Sequence, residues 1–214
     1  MGRSGSARDR RRDGHCRQEE TLMPQPVIIT PPAVEPVSIY QAKQHLRVDM
    51  ADDDALIDGL IRTARAWAEE YSGRALITQT LEVGLECFPA VAICLPRPPV
   101  QSITSITYLD PQGASTVMPP EDYELDTTAV IHSVRPVYGK SWPAIRSQPG
   151  AVKVRYVAGF GATGASVPPQ YIQAMLLVIG RYYSVREDVV IGPAAQEIPF
   201  AAQALLGPSR LRGI

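Results

Sequence analysis

Apolar residues recur at three- and four-residue steps between Pro168 and Arg186, at Ile172, Met175, Leu176, Ile179, Tyr182 and Tyr183. This period predicts a helix with one broad apolar face. Leu177 and Val178 widen the face almost round the circumference, which suits a helix covered on several sides by its own domain or by a neighbouring subunit. Pro168 and Pro169 fix φ where the helix opens. Upstream, Ser38 and Gln41 form a capping-box pattern ahead of Ile39, Ala42, His45 and Leu46, predicting a short helix over Ser38 to Arg47. A longer helix follows over Asp53 to Ser72, with Asp52 or Asp53 as N-cap and Gly73 as its stop. One face of it carries Leu56, Ile57, Leu60, Ile61, Ala64, Trp67, Ala68 and Tyr71. Trp67 is expected to be largely buried where this helix meets the Pro168 to Arg186 helix.

From Leu76 to Tyr156 the period becomes strand-like, with β-branched residues and Pro or Gly punctuation. Strands are expected at Thr80 to Phe88, Ala90 to Leu95, Ile103 to Leu109, Tyr123 to Asp126, Val130 to Ile131 and Ala151 to Val157. Alternation in the first puts Leu81, Val83, Leu85 and Cys87 on one face, which makes Cys87 a core residue. Asp110-Pro111-Gln112-Gly113 is a turn signal that pairs the strand before it with residues leading to Val117. An irregular crossing follows between Arg135 and Pro149, where Tyr138 and Trp142 anchor a loop or contact a neighbour.

Both ends of the chain read as extended. Five prolines between Pro24 and Pro36 space out Val27, Ile28, Ile29 and Val34, the pattern of an arm that cannot form a helix. From Val189 to Ile214 the chain is broken by Pro193, Pro199 and Pro208 but still carries Ile198, Phe200, Leu205, Leu206, Leu211 and Ile214. A short helix from Phe200 to Leu206 is expected there, in a tail too apolar to be only a solvated linker. The resulting class is α+β: a small helical bundle with an inserted antiparallel β-rich block and extended N- and C-terminal arms. Its divisions are residues 1–36, 37–187 and 188–214.

Composition narrows the function. Of 214 residues, 45% are hydrophobic and 20% charged, enough apolar material for a real core. The net charge of −1 gives no long-range attraction to nucleic acid or to an anionic membrane. No apolar run approaches the roughly 20 residues of a spanning helix, so no membrane association is expected. Cys16, Cys87 and Cys94 include no CxxC pair, so neither a disulfide framework nor a zinc site is indicated. The first 22 residues are rich in Arg, Gly, Ser and acid and are expected to be a disordered, solvated tail or an upstream extension.

Candidate chemistry is sparse. Asp52, Asp53 and Asp54 lack the alternating spacing and glycine of a calcium loop and read as helix-capping acids. Gly159, Gly161 and Gly164 spell GxGxxG between a strand and a helix, but Ser166-Val167-Pro168 intervene before the helix and no second strand completes a βαβ unit. The expectation is a flexible connection, with no bound cofactor. His15, His45 and His132 sit in unlike contexts, and neither GxSxG nor HExxH occurs. No catalytic, cofactor-binding or metal-binding residue is nominated, so an enzyme is not expected. Two alternatives remain: a small nucleotide-cofactor enzyme using Gly159 to Gly164, and a nucleic-acid-binding module using the Arg-rich N-terminus.

The succession SIYQAKQHLRVD, DDDALIDGLIRTARAWAEEYSGRAL, LPRPPVQSITSITYLDPQG, VKVRYVAGFG and VPPQYIQAMLLVIGRYYSVRE resembles the head-tail connector, or adaptor, proteins of tailed bacteriophages, prophages and gene-transfer agents. The resemblance covers about Val37 to Glu187. It lies in the order of segments, especially PRPPV before the ITY strand and YVAGFG before the VPP helix. It implies a non-enzymatic ring, often dodecameric, below the portal, joined to a stopper or tail-completion protein, with DNA passing through the lumen without sequence-specific binding. The location implied is the neck of a virion or phage-like particle, with assembly in the bacterial cytoplasm. The C-terminal tail is expected to reach the portal through Phe200, Leu205, Leu206, Arg210, Leu211, Arg212 and Ile214, and its removal after Gly192 to leave a folded subunit. Subunit contacts are expected at Tyr138, Trp142, Tyr182 and Tyr183. The Arg-rich start departs from the family pattern.

Overall fold

Ser38 closes the capping box that its spacing predicts. Its hydroxyl accepts from the Gln41 amide at 3.2 Å, and Gln41 Oε1 accepts from the Ser38 amide at 3.0 Å. The computed structural model describes residues 25–185 and 200–211, and this box opens its first helix, α1 (Ile39–Leu46), which ends on Arg47 in the left-handed region. The next helix, α2 (Asp54–Ser72), stops at Gly73, also left-handed. Asp53 makes no side-chain cap bond. Its carboxylate accepts instead from the Tyr183 hydroxyl, which ties the start of α2 to the end of α3 (Pro169–Ser184). The last described helix, α4 (Phe200–Leu206), has the predicted bounds.

The helices share one core. It takes Ile57, Ile61, Ala64 and Ala68 from α2, Tyr171, Ala174, Met175, Val178 and Ile179 from α3, and Ala202 and Leu206 from α4. Trp67 departs from its expected place. It is half-buried and lies parallel to Tyr71, with ring centroids 5.4 Å apart. The α2 stripe is wider than the surface its neighbours cover, so its flank stays at the core edge.

The strands form two antiparallel sheets. Five of them, β1 (Val27–Thr30), β2 (Gln79–Leu85), β4 (Val100–Leu109), β5 (Ser115–Val117) and β8 (Val152–Ala158), order as β1-β2-β8-β4-β5. The other three, β3 (Ile93–Cys94), β6 (Tyr123–Asp126) and β7 (Ser133–Pro136), order as β3-β7-β6. A second core joins the sheets: Leu81, Val83, Ile106, Val152, Val154 and Tyr156 from one, Ile93 and Val134 from the other. Alternation works in β8, where Val152, Val154, Tyr156 and Ala158 are buried and Lys153 is exposed, as a two-residue period requires.

Several expectations shift. The strand expected to include Cys87 ends at Leu85, leaving Cys87 half-buried while Phe88 turns into the core. Cys87 is disulfide-bonded, against the expectation of none; Cys94 is exposed and free. Val130 and Ile131 lie in a loop, because the Asp126 carboxylate accepts from the Thr128 amide and hydroxyl. That local turn delays the returning strand to Ser133. The proline-spaced arm is extended as expected but not detached, since β1 pairs with β2 at Val27↔Glu82 and Ile28↔Leu81.

Glu69 links the helices to the sheet. Its carboxylate, 2% exposed, accepts from the Leu76 amide and from Gln79 Nε2, both at 2.9 Å, and pairs with Arg65 at 3.2 Å. Arg65 also meets Glu35 at 2.7 Å. Burial works against the Arg65 charge, yet the two carboxylates outweigh it and raise the guanidinium pKa above its ordinary value. Removing Arg65 strands a buried anion. Arg65→Met is expected to lower the unfolding free energy by about 3 kcal/mol, read by urea denaturation. A loss below about 1 kcal/mol would show that Glu69 does not need this partner.

Candidate interaction surfaces

The glycine run after β8 is packed against backbone. At Gly159, φ is 133°, and an added Cβ would lie 2.5 Å from the Ile77 carbonyl carbon. A Cβ at Gly161 would meet the Ser166 side chain at 2.4 Å, and one at Gly164 the Pro36 carbonyl oxygen at 2.3 Å. Backbone bonds hold the same segment: Phe160 N donates to Leu76 O, Thr78 N to Gly161 O, and Gly159 N to Pro99 O. The glycines admit close chain crossings. The expected flexible connection is therefore a fixed junction, where β8, the entry to β2 and the entry to α3 meet.

The C-terminal residues divide between core and surface. Leu206 is fully buried with Ala202 against the other helices. It is a core residue of its own domain and is unavailable to a partner in this state. Leu205 and Leu211 are half-buried. Leu211 N donates to Ser72 O, Arg74 Nε to Ser209 O, and the Tyr71 hydroxyl to Gln203 O. Arg210 is exposed, with its guanidinium carbon 4.9 Å from the Tyr71 ring centre. Phe200 stands free, 84% exposed. Arg212 and Ile214 lie outside the described residues, as does the Arg-rich N-terminus. The apolar content of this segment was readable from sequence. Its partner was not, because the same residues suit a distant groove or the α2–α3 surface.

The residues expected at subunit contacts occupy two places. Tyr182 is 37% exposed and borders a shallow apolar depression with Leu56, Leu60, Thr63 and Val185. Tyr183 is half-buried, bonded to Asp53. Tyr138, fully exposed, and half-buried Trp142 lie in the crossing after β7. Trp142 stacks on Phe88, with centroids 4.6 Å apart and planes within 5°. The two loops that meet in this stack enclose a groove of about 1040 Å³, lined also by Val91, Pro136 and Pro143. Val91 fell within the strand expected at Ala90 to Leu95, but that strand is only Ile93–Cys94. Val91 lies in a bend before it, 76% exposed, where no periodicity marks it as part of a surface.

Among the described residues, no cluster of His, Cys, Asp and Glu is arranged to hold a metal, and no helix is long and apolar enough to cross a membrane. His132 serves structure: its Nδ1 accepts from the Val100 amide, and burial lowers its pKa.

Residues 37–107 match the family described as "Phage gp6-like head-tail connector protein". No curated protein matches the chain. Among solved structures, a chain from "Neck of empty GTA particle computed with C6 symmetry" is similar at TM-score 0.75 and 24% identity, covering 89% of this chain and 97% of that one. A chain from "Virion of native gene transfer agent (GTA) particle" gives 0.73 and 26%, covering 88% and 96%. One from "Neck of native GTA particle computed with C12 symmetry" gives 0.71 and 26%, covering 90% and 97%.

Proposed function

We propose that this chain, a head-tail connector protein by the domain it carries at residues 37–107 and by the fold around it, works as one subunit of a homo-oligomeric ring in the neck of a tailed phage or phage-like particle. The observation that carries this reading is likeness over nearly the whole of both chains, at 26% identity, to chains of gene-transfer-agent particles, one of them from a neck computed with C12 symmetry. The ring lies between a portal and a stopper or tail-completion protein, with DNA passing through its lumen and no turnover. Two separate apolar surfaces support a ring: the Val91–Tyr138–Trp142 groove and the Leu56–Tyr182 depression. A contact repeated around an axis uses two different faces of each subunit. Mass measurement with electron microscopy of the purified protein, alone and with a portal, tests it. Closed rings are expected, and a monomer under both conditions overturns the reading.

Portal contact falls to the exposed part of the C-terminal segment, Phe200 and Arg210 in particular. Phe200→Ala is expected to leave the melting temperature unchanged, because the ring is 84% exposed, while reducing attachment to portal-containing heads at least about tenfold. Undiminished attachment would place the portal contact elsewhere.

A further inference from the structure

The cysteines leave one pairing open. The sequence has Cys16, Cys87 and Cys94 and no others. Cys87 is half-buried just past the end of β2 and is disulfide-bonded, while Cys94 is exposed and free. Within one chain this leaves Cys16, in the Arg-rich segment before Gln25, as the only cysteine with which Cys87 can pair. The register of β1 points the same way. β1 runs antiparallel to β2 with Val27 opposite Glu82 and Ile28 opposite Leu81, so continuing that register upstream sets Gln25 level with Gly84. The chain before Gln25 is thereby directed past Leu85, where β2 ends, toward Cys87. Gln25 also borders Pro96 and Arg97, in the stretch that follows Val91 and β3. Cys16 precedes Gln25 by nine residues, which span up to about 30 Å when extended. The three residues of chain from Gly84 to Cys87 span only about 10 Å, so the reach is ample for the close approach of Cα atoms that a disulfide needs.

We infer that Cys16 and Cys87 of the same chain are joined, and that this bond straps the N-terminal segment to the end of the groove where Cys87 lies beside Glu86 and Pro89. Val91 and Tyr138 are exposed, so the strap leaves open the part of the groove on which the ring reading draws. The closed loop contains β1, α1, α2 and β2. Tying its ends removes conformations from the unfolded chain and holds β1, a four-residue strand at the edge of its sheet, from its upstream side. A dithiol reductant reverses the tie: the S–S bond breaks, Cys16 and Cys87 become thiols, and the reductant is left as its own disulfide. The inference is independent of the ring reading, because it concerns a bond within one subunit.

The test purifies the full chain without reductant, unfolds it in iodoacetamide and measures its mass. One carbamidomethyl group per chain is expected, on Cys94, and three after prior reduction with dithiothreitol. Proteolysis of the unreduced Cys94→Ser chain is expected to release a pair of peptides joined through Cys16 and Cys87. Cys16→Ser is expected to take two groups without reduction and to melt about 5 to 10 °C below the unreduced parent, as the reduced parent does. Three groups on the unreduced chain, or a covalent dimer in place of the intrachain pair, overturn the pairing. If the bond is found but Cys16→Ser and the reduced parent both melt with the unreduced parent, the strap is overturned, since the tie then holds nothing in the fold.

Discussion

A chain ending at Gly192 is expected to melt about 10 to 20 °C below the full protein, or to fail to fold. Truncation removes α4, and with it Leu206 and Ala202, both fully buried against the other helices. Loss of a buried Leu alone costs about 2 to 5 kcal/mol, and here the uncovered face of α3 is also returned to water. The bonds from Leu211 N to Ser72 O, from Arg74 to Ser209 O and from Tyr71 to Gln203 O go as well. A total near 5 kcal/mol is a large share of the stability of one domain. Thermal unfolding followed by circular dichroism checks this, and Leu206→Ala isolates the packing from the length change. If the truncated chain and Leu206→Ala both melt with the parent, α4 is a passenger and the tail is free for a partner, as the sequence pattern suggested. The portal contact then gains the whole segment, not only Phe200 and Arg210.

The difference between these two outcomes shows what was legible in the sequence. Local signals were read correctly at the Ser38–Gln41 box, at Gly73 as a stop and at the turn at Asp110, which depend on residues a few positions apart. The α3 helix was also legible, but its buried face centres on Tyr171, Ala174, Met175, Val178 and Ile179 and leaves Ile172, Leu176, Tyr182 and Tyr183 of the expected stripe at its edge. Partners across the fold were not. Phe200 to Leu206 has the helix that its pattern predicts, yet nothing local tells whether Leu206 meets α3 or another protein. Trp67 sits on the predicted stripe and still emerges half-buried, because the stripe gives direction but not the extent of the covering surface. The arm from Pro24 was recognised as extended, and its pairing with β2 depends on a strand fifty residues away. The candidate surfaces divide in the same way. Tyr138 and Trp142 were marked as aromatics in an irregular crossing, but Phe88 and Val91 complete their groove from a separate loop.

Gly159→Ala is expected to be strongly destabilising, since among the described glycines this one combines a left-handed backbone with overlap on three backbone atoms. The backbone there has φ of 133°, a region that L side chains rarely adopt, and the new Cβ would sit 2.5 to 2.6 Å from Ile77 C, Ile77 O and Thr78 N. These are backbone atoms at the entry to β2, so no side-chain rotation relieves the overlap. Moving them would disturb the neighbouring bonds from Phe160 N to Leu76 O at 3.0 Å and from Gly159 N to Pro99 O at 2.8 Å. Strained conformation and overlap together are expected to cost more than about 4 kcal/mol, which is read as loss of soluble protein or a melting temperature lowered by more than about 8 °C. Gly59→Ala is the matched control. That glycine lies on the exposed side of α2 with nothing within 4 Å of an added Cβ, and the change is expected to stabilise the helix by about 0.5 to 1 kcal/mol. The pair also separates two meanings of the GxGxxG pattern. A phosphate-binding turn loses ligand affinity when its first glycine gains a methyl group, while the fold survives. A packed junction loses the fold itself. A soluble Gly159→Ala protein with an unchanged melting temperature would reject the junction and return the glycine run to the list of ligand sites.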